Sequence, residues 1–403
     1  MALASVLFGL PANAQCTYDV ELIVPDCTYG GGSGEGISTD GSITGSYSCG
    51  FGPEKAFGWF GAPPIVTVPI LAGYTDMSGR SVNPFMEIAG DIENIPSVGV
   101  HIHHAFLFSG GKTIVLSLLP GANLAEADGI HQALPSTVVG YTNNTVGGPL
   151  AAAVWDSRNT VTALTLPLGP NSVASDINDK GQIVGWMGQS PATSHGFIWS
   201  KGGVIDLGIP PGAIASTATG INSSGHVCGR SAVSEPGDGP TVRGWVWSNG
   251  TYTMIDPLPG YRTCRPKDIN DDGTIVGACE DAIEPANPNN PAPAFIWKNG
   301  VMTSLGELVT LDPWVILTHA QGINNAGQIV GGVADLKAVS GYAVRLTPIP
   351  SSIGDFNCDG IVNVDDLLGV INHWNFTTPN LDFDGSGTVG VGDLLIVLDN
   401  WTL

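Results

Sequence analysis

The residues best able to do chemistry lie in the last fifty positions, in GDFNCDGIVNVDDLLGVINHW and LDFDGSGTVGVGDLLIVLDNW. A hard cation such as calcium needs several oxygens converging from one loop. Asp355, Asn357, Asp359, Asn363 and Asp366 fall at positions 1, 3, 5, 9 and 12 of a twelve-residue calcium loop, with the Ile361 carbonyl at 7 and Gly360 at the sharp turn. A second loop offers Asp382, Asp384, Ser386 and Asp393, with the Thr388 carbonyl and Gly387. Two calcium ions are therefore expected as cofactors. The second site is the weaker, because Gly390 brings no side chain to position 9 and Ser386 stands where an acid would add charge. Each loop runs into a short amphipathic helix. The expected facing surfaces are Leu367, Leu368, Val370, Ile371 and Trp374 against Leu394, Leu395, Val397, Leu398 and Trp401.

Elsewhere the chemistry is thinner. His101, His103 and His104 put two imidazoles on one face of a strand, a spacing that can hold zinc, but no acidic or cysteine ligand is fixed beside them by sequence and a solvated or packed edge is the better reading. Asp268, Asn270, Asp271 and Asp272 read as turn formers, since sister copies carry Ser-Ser or Asn-Ala there. Glu280, Asp281, Glu284 and Asp335 could be assembled into a carboxylate pair for glycoside hydrolysis, although the sequence sets no separation. No Gly-x-Ser-x-Gly, Walker or dinucleotide motif occurs, and no catalytic residue is assigned.

Most of the preceding chain is one unit repeated. Ile-Asn-x-x-Gly-x-Ile-Val-Gly starts at Ile177, Ile221, Ile269 and Ile323 and survives in degenerate form at Ile37, Val82 and Ile130, with spacings of 45, 48, 47, 44, 48 and 54 residues. Each copy is followed by an aromatic-aliphatic-aromatic triplet such as Phe197-Ile198-Trp199, or its remnant. The Asn178 to Gly181 turn predicts a tight hairpin, and Ser200 to Gly203 turns a third strand into a fourth. Four strands in about 45 residues make a propeller blade, whose aromatics must pack on neighbouring blades. The expected architecture is all-β, a seven-bladed β-propeller of four-stranded blades over 15–347, then a linker 348–354 and a small helical module 355–403. The last copy lacks a fourth strand, so Tyr18 to Val24 is expected to pair with Tyr342 to Leu346 and close the ring. Length variation falls on one rim, at Gly90 to His103, Gly229 to Gly244, Gly277 to Ala294 and Gly306 to Gln321, where a binding surface is expected.

Residues 1–14 end in Ala12-Asn13-Ala14 after an apolar run and read as the tail of a secretory signal. The chain carries 14 Lys and Arg against 36 Asp and Glu, a net charge of -22, which disfavours nucleic acid and anionic membranes. Glycine at 56 of 403 residues fits a turn-rich body. Of seven cysteines, Cys264 and Cys279 flank one turn symmetrically and are expected to be bridged, while Cys27 with Cys49 competes with Cys16 with Cys27.

The Asp-Ile-Asn-x-x-Gly-x-Ile-Val-Gly and Phe-Ile-Trp blocks of residues 36 to 346 resemble the HAF repeats of secreted bacterial proteins, which implies a secreted propeller without an agreed activity. The paired C-terminal loops resemble a type I dockerin. That resemblance implies a cohesin-like partner for residues 355–403, with Val364-Asp365 and Val391-Gly392 at the positions that contribute to partner choice. The expected function is a secreted, extracellular or cell-surface recognition or structural propeller, meeting a glycan or protein on its variable rim. A carbohydrate-active enzyme delivered to a cohesin-bearing complex is the alternative.

Overall fold

Every strong repeat is built outward from one turn. In Asn178, Asn222, Asn270 and Asn324 the side-chain Oδ1 accepts N–H groups of the residues that follow, as in Lys180 N and Gln182 N onto Asn178 (3.1 and 3.0 Å). Gly181 closes the first of these turns at φ +70, a left-handed conformation that glycine adopts without cost to a Cβ. The turn joins Asn171–Ile177 to Ile183–Gly188, and the antiparallel sheet continues through Ser194–Ser200 to Gly203–Gly208.

The computed structural model describes residues 17–23, 30–50, 52–61, 64–97, 100–235, 239–282, 294–338, 340–349, 354–356, 361–376 and 381–402, and among them are seven such four-stranded sheets. Their first strands, in chain order, are Gly30–Ile37, Asp76–Val82, Ala125–Ile130, Asn171–Ile177, Ala213–Ile221, Tyr261–Ile269 and Val315–Ile323. Each touches the next, and the seventh touches the first. A closed cycle of radial sheets with their first strands innermost is a β-propeller. The sheets are numbered one to seven below.

The cores lie between sheets, as the aromatic triplets require. Phe197, fully buried, sits with Ile177, Ile183 and Met187 of its own sheet four against Val139 and Ala152 of sheet three. Trp245 of sheet five meets Val184 and Ile198 of sheet four in the same way. The glycine of Ile-Val-Gly has a reason of its own: a Cβ on Gly185 would stand 1.9 Å from Val173 O of the inner strand. The same clash, at 2.3 Å or less, awaits Gly45, Gly90, Gly140, Gly229, Gly277 and Gly331. Only a residue without a side chain lets the second strand lie that close to the first.

The seventh sheet is ordered Thr17–Ile23, Ser340–Ile349, Ile329–Asp335, Val315–Ile323, so the N-terminal strand supplies the missing fourth member as expected. Arg345 fastens this sheet to the first. Its guanidinium reaches Glu21 (2.8 Å) and Gly41 O (3.3 Å) and lies 4.3 Å over the Trp59 ring.

Two expectations are corrected. Cys264 and Cys279 are direct cross-strand partners, yet both are buried free thiols; Cys279 Sγ accepts from Leu258 N and turns towards Met302 Sδ. Cys49 is disulfide-bonded, while Cys16 and Cys27 lie outside the described residues. Gly90 to His103 is largely not a loop, because Ile88–Ser97 and Val100–Ser109 run on as a long hairpin. Residues 1–14 fall outside the described part.

Chain contacts divide the molecule into two units, residues 20–307 with 311–346, and residues 1–19, 308–310 and 347–403. In the second unit α1 (Val364–Asn372) and α2 (Val391–Asp399) enclose Phe356, Val362, Val370, Leu381, Val389 and Val397, with Leu367, Trp374 and Leu394 partly buried. Here the expected helix faces are half wrong. Leu368, Ile371, Leu395, Leu398 and Trp401 are exposed, because each nine-residue helix has room for one buried seam and the loop valines fill the rest.

Candidate functional site

In the second calcium-type loop the structure brings Asp382, Asp384 and Asp393 together, each offering a carboxylate oxygen within 4.8 Å of the others. The backbone holds them there. Asp382 accepts Ser386 N and Gly387 N (both 2.8 Å), Asp393 accepts Gly390 N (2.7 Å) and Asp384 N (3.1 Å), and Ser386 Oγ donates to Thr388 O (2.9 Å). Gly387 has φ +91, and a Cβ on Gly392 would meet Asp384 Oδ2 at 1.8 Å. Hydrogen bonds from Ser386 hold the Asp384 carboxyl below its usual value. Oxygen donors of this kind suit a calcium ion.

In the first loop Asp355 and Asp366 are fully buried and Ile361 is exposed, while Asn357 and Asp359 lie outside the described residues. Two predicted ligands have a structural role that the sequence reading passed over. Asn363 Oδ1 accepts Asp365 N (2.7 Å) and Asp366 accepts Asn363 N (2.9 Å), a capping box that starts α1. The other candidates are not brought together. Glu280 pairs with Arg265 (2.7 Å), Asp335 caps its own turn through Lys337 N and Ala338 N, and Glu284 and the Asp281 side chain are not described. His103 lies near Asp91 (3.3 Å) and Glu93 (3.8 Å), and His104 stacks edge-on against Tyr74. The His101 side chain is not described.

The site that sequence reasoning missed is at the centre of the propeller. Every inner strand carries a β-bulge one to three residues before the repeat's leading Ile or Val, for example between Ala174 and Asp176. The extra residues are Glu35, Arg80, Asp128, Ser175, Thr219, Lys267 and Gln321, and all seven line a single funnel of about 190 Å³. The bulge re-aims one side chain per sheet towards the axis.

The residue after the bulge also acts. Asp176 accepts Ile177 N (2.7 Å) and, across the gap, Ile221 N of sheet five (2.9 Å); Asp268 does the same for Ile269 N and Ile323 N (2.7 and 2.9 Å). Burial raises both carboxyls. Glycine stands at the equivalent positions 36, 129, 220 and 322, and a Cβ on Gly220 would lie 3.1 Å from Asp268 Oδ1. Beyond the bulge the repeat asparagines form a chain of donors. Asn178 Nδ2 gives to Asn222 O (2.8 Å), Asn222 to Asn270 O (3.0 Å), Asn270 to Asn324 O (3.2 Å), and Asn324 to Ser38 O (3.0 Å), which joins the last sheet to the first.

Arg80 is held by Asp91 (2.6 Å), Glu126 (3.2 Å) and Asp128 (3.7 Å). Burial pushes the Asp128 carboxyl up to about 7 despite that cation. Glu35 is raised by burial too, and accepts from Gln321 Nε2 (2.9 Å). Burial lowers Lys267, with help from Arg230.

No family model matches the sequence, and no curated protein matches it. Solved structures do. The β-propeller domain of the Trilobed protease from Pyrococcus furiosus is 7% identical over 79% of this chain and 96% of that one, with TM-score 0.47. A gluconolactonase from Xanthomonas campestris is 9% identical over 83% and 92%, with TM-score 0.36. The six-bladed fucose-recognising lectin of Aleuria aurantia is 11% identical over 72% and 96%, with TM-score 0.34.

Proposed function

We propose that this is a secreted recognition protein: a seven-bladed propeller of HAF-like repeats that meets an extracellular glycan or protein, tethered by a calcium-dependent, dockerin-like module at residues 355–403 to a cohesin-like partner. The observation that carries the tether is a repeat within the module. Val364 and Val391, Leu368 and Leu395, and Ile371 and Leu398 are each 27 residues apart in sequence, and all six are exposed, at 53 and 60%, 47 and 52%, and 47 and 45%. Paired apolar side chains left in water on both halves of so small a unit suit a surface that a partner covers.

Calcium is the condition for that surface. Helices of nine residues are marginal in water, and the loop carboxylates repel one another until a cation binds. Binding only the folded form stabilises it by about 4 kcal/mol at a thousandfold excess over Kd. The test is the full chain followed by tryptophan fluorescence and circular dichroism during heating, in calcium and then in EGTA. Calcium is expected to raise a separate C-terminal transition, and Asp355→Ala to weaken it more than Asp382→Ala. A transition indifferent to both reagents sinks the tether.

One observation favours the carbohydrate-active enzyme as a second reading. Asp128, with its carboxyl near 7, holds a proton as a general acid does. Reducing-sugar release that Asp128→Asn abolishes would establish it, and polysaccharides left uncut by the unaltered chain would remove it.

A further inference from the structure

Beside the axis the seventh sheet departs from the repeat. Its inner strand carries a further bulge, between Leu317 and His319, ahead of the one that every sheet shares. At the place of His319 the sister strands carry Ser33, Ser78, Glu126, Val173, Thr217 and Arg265, each opposite a residue with a side chain, whereas His319 lies opposite Gly332. A Cβ on Gly332 would stand 2.5 Å from His319 Cε1, so this glycine makes room for the imidazole. The repeat requires neither residue, and a bulge beside a cleared neighbour is a means of aiming one side chain.

Hydrogen bonds then decide what the imidazole can do. Thr318, the extra residue of that bulge, has one hydroxyl proton and gives it to Gly332 O (3.0 Å). Its oxygen therefore accepts from His319 Nδ1 (2.9 Å), which puts the ring proton on Nδ1 and leaves Nε2 as a base. Nε2 faces Ser33 Oγ of sheet one at 2.8 Å. Burial, and after it the charge of Lys267, lower the His319 pKa, so the ring is neutral at neutral pH. Ser33 stands in Gly30-Gly31-Gly32-Ser33-Gly34, a strand bare of side chains on both sides of it, and a Cβ on Gly31 would meet nothing within 4 Å. An approachable serine, a base within hydrogen-bond reach and a group that orients the base are the parts of an activated nucleophile.

We propose that Ser33, His319 and Thr318 form a hydrolytic site for carboxylic esters, with Ser33 as nucleophile, His319 as general base and acid, and Thr318 as the positioning residue. Ser33 Oγ bonds to the ester carbonyl carbon while its proton passes to His319 Nε2. The bond from that carbon to the alkoxy oxygen breaks, and the departing alcohol takes the proton. Water then attacks the acyl-serine and gives a proton to Nε2, the acid is released, and Ser33 recovers its proton. Thr318 is neutral where many such sites place a carboxylate, as asparagine is in Cys-His-Asn proteases.

The test is diisopropyl fluorophosphate applied to the full chain, with mass spectrometry of the digest, and hydrolysis of 4-nitrophenyl acetate as the kinetic readout. Label is expected on Ser33, and Ser33→Ala or His319→Gln should lower hydrolysis by about a hundredfold. His319→Gln keeps a hydrogen-bonding amide beside Ser33, so a merely structural tie would survive it. The rate should rise with pH through a midpoint below about 6.5, since burial lowers His319. Thr318→Val should slow the reaction by about tenfold and Thr318→Ser restore it. An unlabelled Ser33, labelling that His319→Gln does not diminish, or hydrolysis that Ser33→Ala leaves intact would each overturn the proposal. Labelling is expected to be equal in calcium and in EGTA, which separates this site from the calcium-dependent tether.

Discussion

At the scale of single residues, the repeat's asparagine does two jobs that no other side chain combines. Its oxygen shapes a turn and its amide nitrogen holds the neighbouring sheet, so aspartate, equal in shape, can do only the first. Asn222→Asp removes the donor to Asn270 O and sets a buried carboxylate against it; a loss of about 1–3 kcal/mol in urea unfolding is expected, with Asn144→Asp at an exposed turn as the silent control. His103 gives a pH test. Its hydrogen bond to Asp91 raises its pKa, so the stability it contributes is complete below the unfolded value of about 6.5 and is lost as pH rises through the higher folded value. His103→Ala should therefore cost most at low pH and little at high pH. A proton NMR titration of His103 that gave an unshifted midpoint would contradict this.

At the scale of strands, the bulge and the glycine beside it belong together. The bulge turns one residue towards the axis, and the glycine lets the second strand follow the displaced backbone. Gly185→Ala would press a Cβ into Val173 O and should cost at least the roughly 1–3 kcal/mol of an overpacked core, whereas Gly202→Ala, with its nearest atom at 3.8 Å, should stay within about 0.5 kcal/mol. The same geometry explains what the sequence showed and what it hid. Turns, strands and aromatic cores recur in every copy, so periodicity exposed them, and the incomplete last copy pointed to the N-terminal strand. Glu35, Arg80, Asp128 and Lys267 occupy a position that differs in every sheet, and a search for what repeats passes over it. Reading that variable column down the copies would have found the funnel. The spacing of Cys264 and Cys279 revealed their pairing across strands but not the state of their thiols, and the exposed half of each helix face was hidden because α1 and α2 are too short for periodicity to tell a seam from a surface.

At the scale of the molecule, one strand from each end of the repeat region completes the cycle. A chain beginning at Pro25 lacks Thr17–Ile23 and leaves the edge of Ser340–Ile349 unpaired, so its melting temperature should fall markedly, and an unchanged value would refute closure by this strand. Arg345→Ala is the milder version. Loss of the Glu21 pair and the Trp59 stacking should cost about 1–2 kcal/mol in thermal unfolding, with Glu21→Gln reproducing only part of the loss.

That closing strand also sets a timetable. Thr17–Ile23 is made long before its neighbour in the sheet, because residues 340–349 follow more than three hundred positions later. Until then the sheets can form one by one through local hairpins, but the circle stays open and its final edge bare. Closure of the ring thus waits until residues 340–349 are made, and a chain made only part of the way to them remains an open array of sheets.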